Sequence, residues 1–455
     1  MLYLEGRALF TAITSITCLG FLLIGYDNGL MGGLVNSTGF KNTFENPSPT
    51  ITGLIVAIYE IGCFLGSIAT SIFGEDIGRK KSIEIGVLIM ITGALLQATA
   101  YSRTHIIIAR VISGIGMGFI NSTVPVFQAE FSPKATRGLY VCMQLSTLNF
   151  GIFLAYWIDY AFTQSFNTSI SWRIPTILQC IFLLPMLILL SIVPESPRWL
   201  AAHSRPDESL TVLTRLHTHH MSPDDIYSLH TTITQACAYE TSLATGSRTW
   251  STLFRPDALH SPRRFLLACA IQSFQQLSGI NALIYYSPTL FSTSLNFSPR
   301  LSALMSGFLQ TWFFLASFIP WLLIDRIGRR PLLLSMISLM AAVMLVQTGL
   351  IYNVQYKTPI AKACGVGAAV MLFVFEGAFT VGFQATDIDK LFTSNELFTS
   401  NSFFIRRNRN RERNDEEIHP EISPEIPPEA PINVSGSENT PNSKQFQDDI
   451  CIAQP

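Results

Sequence analysis

Long apolar runs, separated by short polar segments, form the main pattern along this chain. The candidate runs cover residues 9–35, 51–73, 82–101, 104–126, 139–161, 172–194, 265–291, 300–325, 331–352 and 363–386. Each run is close to the ~20 residues that an α-helix needs to cross a bilayer. The pattern predicts an all-α membrane protein with about ten transmembrane helices, here called spans 1 to 10.

Composition supports a membrane protein and argues against several other classes. Hydrophobic residues make up 48% of the chain and charged residues only 13%, with a net charge of −1. Soluble domains carry about a quarter charged residues, so this chain has too few for an ordinary soluble surface. The near-neutral charge gives no reason to expect a nucleic-acid partner. Eight cysteines without paired spacing predict neither a metal site nor a disulfide framework, and we expect no cofactor.

Basic residues cluster after the even-numbered spans, which predicts the orientation of the chain. They occur after span 2, span 4, span 6 and span 8, at Arg79–Lys81, Lys134–Arg137, Arg198 and Arg326–Arg330. Short loops rich in Lys and Arg remain on the cytosolic side of a membrane. We therefore expect both termini in the cytosol and a multi-pass protein of the plasma membrane.

A polar segment, 195–264, divides the spans into six and four. Leu210, Leu213 and Leu216 recur along it as on an amphipathic surface helix, and a second such pattern runs over 224–240. His217, His219 and His220 are interpreted as part of a solvated loop, because no cysteine or acidic ligand is spaced with them. The predicted organisation is an N-terminal half (1–194), a cytosolic linker (195–264), a C-terminal half (265–386) and a disordered cytosolic tail (387–455).

The two groups of spans carry an internal repeat. Span 2 ends in GEDIGRKK (74–81) and span 8 ends in IDRIGRRP (324–331), so the second helix of each half has an acid and a Gly-Arg pair at its cytosolic end. Repeated halves of this kind are typical of secondary transporters. The pattern predicts two pseudo-symmetric halves.

Five motifs in order resemble the sugar porter family of the major facilitator superfamily, with the closest likeness to fungal-type hexose and disaccharide transporters. They are GYDNGLMGGL (25–34), ARVISGIGMGFINSTVPVFQAEFSPKATRG (109–138), VPESPRWL (193–200), IQSFQQLSGINALIYYSP (271–288) and IDRIGRRPLL (324–333). The resemblance covers roughly residues 5–386. It implies a two-half bundle with a central sugar site and transport by alternating access, with a hexose-like sugar as the substrate.

Amide side chains on span 7 are the candidate sugar ligands. Gln272, Gln275 and Gln276 share one helix face, Asn281 follows, and the Gly279 region allows the helix to bend. Amides offer one donor and one acceptor group, as sugar hydroxyls do, whereas helix–helix hydrogen bonding is the structural alternative. The resemblance implies sugar binding by these residues and by Gln144 on span 5. It also implies gate and stacking positions at Tyr285 and Tyr286, for which aromatic core packing is the alternative.

Asp27 and Arg110 place opposite charges inside apolar spans, where an ionisable group is a functional candidate by default. The resemblance implies that this pair couples protonation of the carboxylate to transport. A purely structural ion pair is the alternative.

The resemblance also implies a cytosolic charge network that closes the inner gate. Its members in the first half are Arg79, Glu130, Arg137, Glu195 and Arg198, and in the second half Asp325 and Arg329. The first-half motif departs from the family pattern at Glu75 and Asp76, where an acid and a base are usual.

The stretch GFQATDIDKLF (382–392) reads as a junction between span 10 and a tail. In the family, a stretch like GFQAT continues into a segment with Trp and Pro, and two further helices precede an acidic tail. We therefore predict an internal deletion of roughly 70–90 residues between Thr386 and Asp387, enough for two spans and their loops. Loss of one cavity wall predicts weak or no transport by this polypeptide.

Other functions remain open at this stage. A membrane sugar sensor would reuse the same fold, and a non-functional splice or gene-model product would retain the same motifs. No nucleophile–base or metal spacing indicates an enzyme.

Overall fold

We describe the chain from a computed structural model, which covers residues 4–132, 137–218, 221–244 and 261–384. All of these residues belong to one compact unit, Met1–Asp387. The helices are α1 (Gly6–Leu34), α2 (Thr38–Thr43), α3 (Pro49–Ile77), α4 (Arg79–Ala98), α5 (Arg103–Phe131), α6 (Arg137–Ser165), α7 (Ile170–Ile177), α8 (Gln179–Ile192), α9 (Pro197–Ala202), α10 (Pro206–His217), α11 (Pro223–Ala244), α12 (Ser261–Leu277), α13 (Ile280–Thr289), α14 (Pro299–Ala316), α15 (Ile319–Ile327), α16 (Arg329–Gln355) and α17 (Ala361–Gln384).

The predicted all-α membrane architecture is confirmed. Among the described residues, nine helical segments are long and apolar enough to cross a membrane. The remaining predicted span, 265–291, forms two shorter helices, α12 and α13, followed by a π-helical turn at Leu290–Ser294. Span 8 is also interrupted, between α14 and α15. Pro320 has no N–H group with which to continue the helix ladder to Ala316, the last residue of α14.

Glycines allow the helices of the first half to approach closely. A β-carbon added at Gly66 on α3 would lie 2.3 Å from the Ile115 carbonyl oxygen, and one at Gly118 on α5 would lie 2.3 Å from that of Cys63. On α1, Gly25 meets the backbone of α6 at Leu148 in the same way. Small residues at a crossing let backbones touch, which is how apolar helices gain packing energy in lipid.

The polar segment between the halves contains the two predicted amphipathic helices. They are α10 and α11, although α10 buries Val212 together with Leu213 and Leu216, while Leu210 is half-buried. The Ser209 hydroxyl donates to the Pro197 carbonyl, so α10 packs on α9. His217 ends α10, and His219 and His220 lie outside the described residues.

Two ends of the bundle are used below as reference points. The motif end contains Gly78, Glu130 and Glu195, and the opposite end contains the α1–α2 loop and the end of α13. Near the opposite end α1 packs on α13, while α6 packs on α14. The predicted junction at Thr386 and Asp387 and the predicted tail lie outside the described residues.

Candidate functional site

The interruption in span 7 sets the geometry of the amide cluster. Gly279 has φ +84°, a left-handed conformation that favours glycine, and it separates α12 from α13. The Asn281 amide donates to the Gln276 side-chain oxygen across this break. Gln272 and Gln276 are exposed, and Gln275 is half-buried. The bend therefore presents polar amides on a surface instead of burying them in a helix interface.

The other predicted sugar ligands lie around this cluster in different environments. Gln144 on α6 is buried, and its side-chain nitrogen makes no hydrogen bond within the described parts of the chain. The Tyr285 hydroxyl bonds to two residues of the first half, Glu60 (2.8 Å) and Asn28 (3.2 Å). Tyr286 is half-buried, and its hydroxyl faces α3 at Gly53.

Asp27 and Arg110 form a buried ion pair in the core of the first half. Arg110 Nη1 lies 3.1 Å from Asp27 Oδ2, and both side chains are at most 1% exposed. Gln179, on α8, donates to Asp27 Oδ1 at 3.1 Å. Arg110 also donates to the Ile55 and Val56 carbonyls, both at 3.4 Å. This array compensates both charges, as a buried pair requires.

Arg110 also packs against an aromatic ring. Its guanidinium carbon lies 4.3 Å from the centroid of the Tyr59 ring. A cation over an aromatic face gains electrostatic energy, and more so where water is excluded. The contact fixes Arg110 between α3 and α1.

Glu195 caps the first turn of α4 at the motif end. Its Oε1 accepts from the Arg79 N–H (3.1 Å) and the Lys80 N–H (3.0 Å), and Gly78 approaches it closely with φ +99°. Burial raises the pKa of the Glu195 carboxyl, and these backbone donors only partly oppose the rise. A carboxylate at a helix N-terminus also interacts favourably with the helix dipole.

The structure joins some of the predicted gating charges and leaves others undescribed. Arg79 Nε pairs with Glu130 Oε1 at 3.4 Å. Glu195 accepts from the backbone N–H groups of Arg79 and Lys80. Arg198 lies on α9 next to this group. The side chains of Arg137, Asp325 and Arg329 lie outside what the structure describes.

Several polar residues inside the spans were not singled out from sequence. Glu60, Asp159 and Glu376 are acids in apolar helices, and Gln179 binds Asp27 directly. The signal that drew attention to Asp27, an ionisable group within an apolar run, applies equally to the three acids. What sequence could not give was the contacts of Glu60 with Tyr285 and of Gln179 with Asp27, because these partners lie on distant helices.

A profile of known proteins matches most of this chain. The family described as "Sugar (and other) transporter" matches residues 13–398. The sugar transporter STL1 of Saccharomyces cerevisiae is 35% identical over 348 residues, which cover 73% of this chain and 60% of that protein. The major facilitator superfamily transporter mfsA of Aspergillus fumigatus is 34% identical over 348 residues, covering 73% and 64% respectively. This chain therefore spans less than two thirds of the length of these two relatives.

Solved structures share the fold. The xylose transporter XylE from E. coli, in a partially occluded inward-open conformation, superposes with a TM-score of 0.67 at 23% identity. The alignment covers 84% of this chain and 87% of that one. XylE described as a proton:xylose symporter bound to 6-bromo-6-deoxy-D-glucose gives a TM-score of 0.69 at 24% identity, covering 84% and 81%. At this identity the likeness establishes the major facilitator fold.

Proposed function

We propose that this chain, which belongs to the "Sugar (and other) transporter" family, derives from a membrane transporter that moves a hexose-like sugar by alternating access. The observation that carries the proposal is the broken span 7. It exposes Gln272 and Gln276 beside half-buried Gln275, and links Gln276 to Asn281 across the break. Exposed amides in a bilayer are costly unless a polar cavity or ligand receives them.

Sugar recognition at this site would use both the carbonyl oxygen and the NH2 group of each amide side chain. A sugar hydroxyl donates one hydrogen bond and accepts others, so an amide oxygen and an amide nitrogen can each serve it. Gln144, Tyr285 and Tyr286 are proposed to complete the site from the sides. The names of the relatives support a sugar as the substrate class, since STL1 is described as a sugar transporter.

Orientation and location follow from the same proposal. We place both termini in the cytosol and the protein in the plasma membrane, because the basic residues gather after the even-numbered spans. The Arg79–Glu130 pair and the Glu195 cap then lie on the cytosolic side. Their contacts would hold the first half together while the cavity is open to the other side.

Proton coupling is proposed for the Asp27–Arg110 pair. In general, a guanidinium in contact keeps a carboxylate ionised, and separation of the two allows protonation. XylE, which shares the fold, is described as a proton:xylose symporter. Uptake by Asp27→Asn should lose its dependence on an inward proton gradient, with counterflow exchange retained; an unchanged gradient dependence would favour the structural role.

Radiolabelled hexose uptake in transporter-null cells tests the function. Two variants are compared, this chain and the same chain with the last two helices of STL1 inserted between Thr386 and Asp387. We expect weak uptake by the first and clear uptake by the second. In the second, Gln276→Ala should lower uptake about tenfold, as the loss of one hydrogen bond to a polar ligand group does. Asn353→Ala, on α16 outside the amide cluster, is the matched control.

Two results of this experiment would count against the proposal. Absence of hexose uptake by the inserted chain, with surface expression verified, would contradict a sugar transporter. Full uptake by the uninserted chain would contradict the predicted weak transport by this polypeptide. A chain that responds to sugar through its tail without uptake would favour the sensor.

A further inference from the structure

Glu60 is an acid to which the site above assigns no role. It lies on α3 in the middle of an apolar span, one helical turn beyond the Ile55 and Val56 carbonyls that Arg110 contacts. Its carboxylate accepts a hydrogen bond of 2.8 Å from the Tyr285 hydroxyl on α13. An acid within a membrane span is retained at a cost, so a contact of this kind indicates a function.

The contact joins the two halves of the bundle. Tyr285 belongs to the second half, and its hydroxyl proton is shared between Glu60 Oε1 and Asn28 Oδ1, which both belong to the first. Asn28 is the chain neighbour of Asp27, the carboxylate of the buried ion pair. This three-residue group, Glu60, Tyr285 and Asn28, is called the polar latch below.

The latch lies between the amide cluster and the opposite end of the bundle. Tyr285 follows the Gly279 break on α13, and beyond it the Asn36 amide donates to the Thr289 hydroxyl at 3.3 Å. The Tyr156 hydroxyl donates to the Ile284 carbonyl on the same helix. Together these contacts hold α13 against the end of α1 and against α6 at that end.

We propose that Glu60 is a positioning residue that holds Tyr285 over the amide cluster and so keeps the passage between α1 and α13 closed at the opposite end. The inference rests on the proposed transport function and names a residue pair for one of its gates. The internal repeat allows Glu60 to be compared with the equivalent position of the second half. Glu60 and Gln310 are repeat-related, since Gly78 and Gly328 end their spans at the same spacing. The second half thus carries a neutral amide where the first carries an acid.

The test measures how often the passage opens, without any sugar. Full chain carrying Asn281→Cys, in a Cys269→Ser background, is reconstituted in vesicles, and an impermeant thiol reagent is added on the side of the opposite end. The reaction rate reports the open fraction. Glu60→Ala should raise the rate about fivefold, the factor that one hydrogen bond contributes, and Tyr285→Phe, which also loses the bond to Asn28, should raise it at least as much. The double variant should raise it no further, because both changes break the same contact.

Controls separate the latch from a general loosening of the bundle. Tyr352→Phe, a change of an exposed tyrosine on α16, should leave the rate unchanged. Glu60→Gln keeps an acceptor for Tyr285 and should remain within about twofold of the parent. A cross-link between Asn36→Cys and Thr289→Cys should suppress the reaction in every variant.

Three outcomes would overturn the proposal. They are an unchanged rate in Glu60→Ala, additive effects in the double variant, or a Glu60→Gln rate as high as that of Glu60→Ala. If the latch behaves as expected and no sugar is carried, the proposed function fails alone. If sugar is carried and Glu60→Ala leaves the rate unchanged, the latch fails alone.

Discussion

Helices α4 and α16 are the third spans of the two halves, and they are packed very differently. Both begin after a glycine in an uncommon conformation, Gly78 with φ 99° and Gly328 with φ 82°. Yet in the apolar 18-residue stretch of each helix, 50% of the residues of α4 are buried and only 17% of those of α16. The cause is visible in the first half, where α4 packs on α5 and also on α7 and α8, the sixth span. Within the described residues, α16 packs mainly on α17.

Buried polar residues do not follow this contrast. Gln97 on α4 donates to the Ser113 hydroxyl at 2.7 Å, but its side-chain oxygen is buried without a hydrogen bond within the described residues. The side-chain oxygen of its repeat-related residue on α16, Gln347, is buried in the same way. What distinguishes the two helices is therefore apolar packing. Among the described residues, α16 has no neighbour that packs on it as the sixth span packs on α4.

Glycine substitutions test directly how tightly the two helices are enclosed. A β-carbon at Gly93 on α4 would lie 2.6 Å from the Ser113 backbone, whereas one at Gly349 on α16 meets nothing within 4 Å. Gly93→Leu should therefore destabilise the fold by about 3 kcal/mol or more, and Gly349→Leu by less than about 0.5 kcal/mol. Fluorescence-detected size exclusion after heating measures both. Equal losses would show that the two helices are equally enclosed.

Replacing a buried acid by its amide should also change stability differently in the two halves. Asp27→Asn leaves the buried Arg110 without its counter-charge and should cost about 3–5 kcal/mol. Glu376→Gln replaces a buried acid that has no cationic partner among the described residues, so stability should stay unchanged or rise. Thermal unfolding in detergent, read by tryptophan fluorescence, compares the two. A large loss for Glu376→Gln would mean that the acid makes a stabilising contact, for which the Gln310 side chain is the nearest candidate among the described residues.

The cap on α4 gives the smallest expected effect. Because burial raises the pKa of Glu195 above its usual 4.5, the protonated carboxyl is the form that the fold favours. Its stabilising contribution is complete below pH 4.5 and is lost as the pH rises through the raised value. Glu195→Gln retains an acceptor for the Arg79 and Lys80 N–H groups and cannot ionise.

The corresponding measurement is a melting-temperature series over pH. The difference between Glu195→Gln and the parent should shift in favour of the variant as the pH rises, and then level off. A difference that stays constant from pH 4 to pH 8 would contradict the raised pKa. A shift in favour of the parent would mean that the charge–dipole contact with α4 outweighs burial.

Sequence predicted the helices of this fold well, because hydrophobic runs of membrane length have few alternatives. It also predicted the bend at Gly279, which the structure places at a left-handed glycine between α12 and α13. The interruption of span 8 between α14 and α15, where Pro320 ends the hydrogen-bond ladder of α14, was not predicted from the hydrophobic pattern.

The site was harder to predict, because its contacts join residues far apart in sequence. Glu60 meets Tyr285, and Gln179 meets Asp27, through the folding of separate spans. A periodic pattern shows which face of a helix is polar and leaves its partner undefined. Glu195 is an example. Its carboxylate accepts hydrogen bonds from the backbone N–H groups of Arg79 and Lys80, and no sequence pattern marks such a backbone contact.

The central claim is that the gene encodes two further spans between Thr386 and Asp387, which this chain lacks. The most direct measurement is the genomic DNA sequence between the codons for these two residues. We predict an in-frame stretch of roughly 70–90 codons that encodes two apolar segments of ~20 residues each. Directly adjacent codons in the genome would contradict the claim, and the exposed face of α16 would then need another partner.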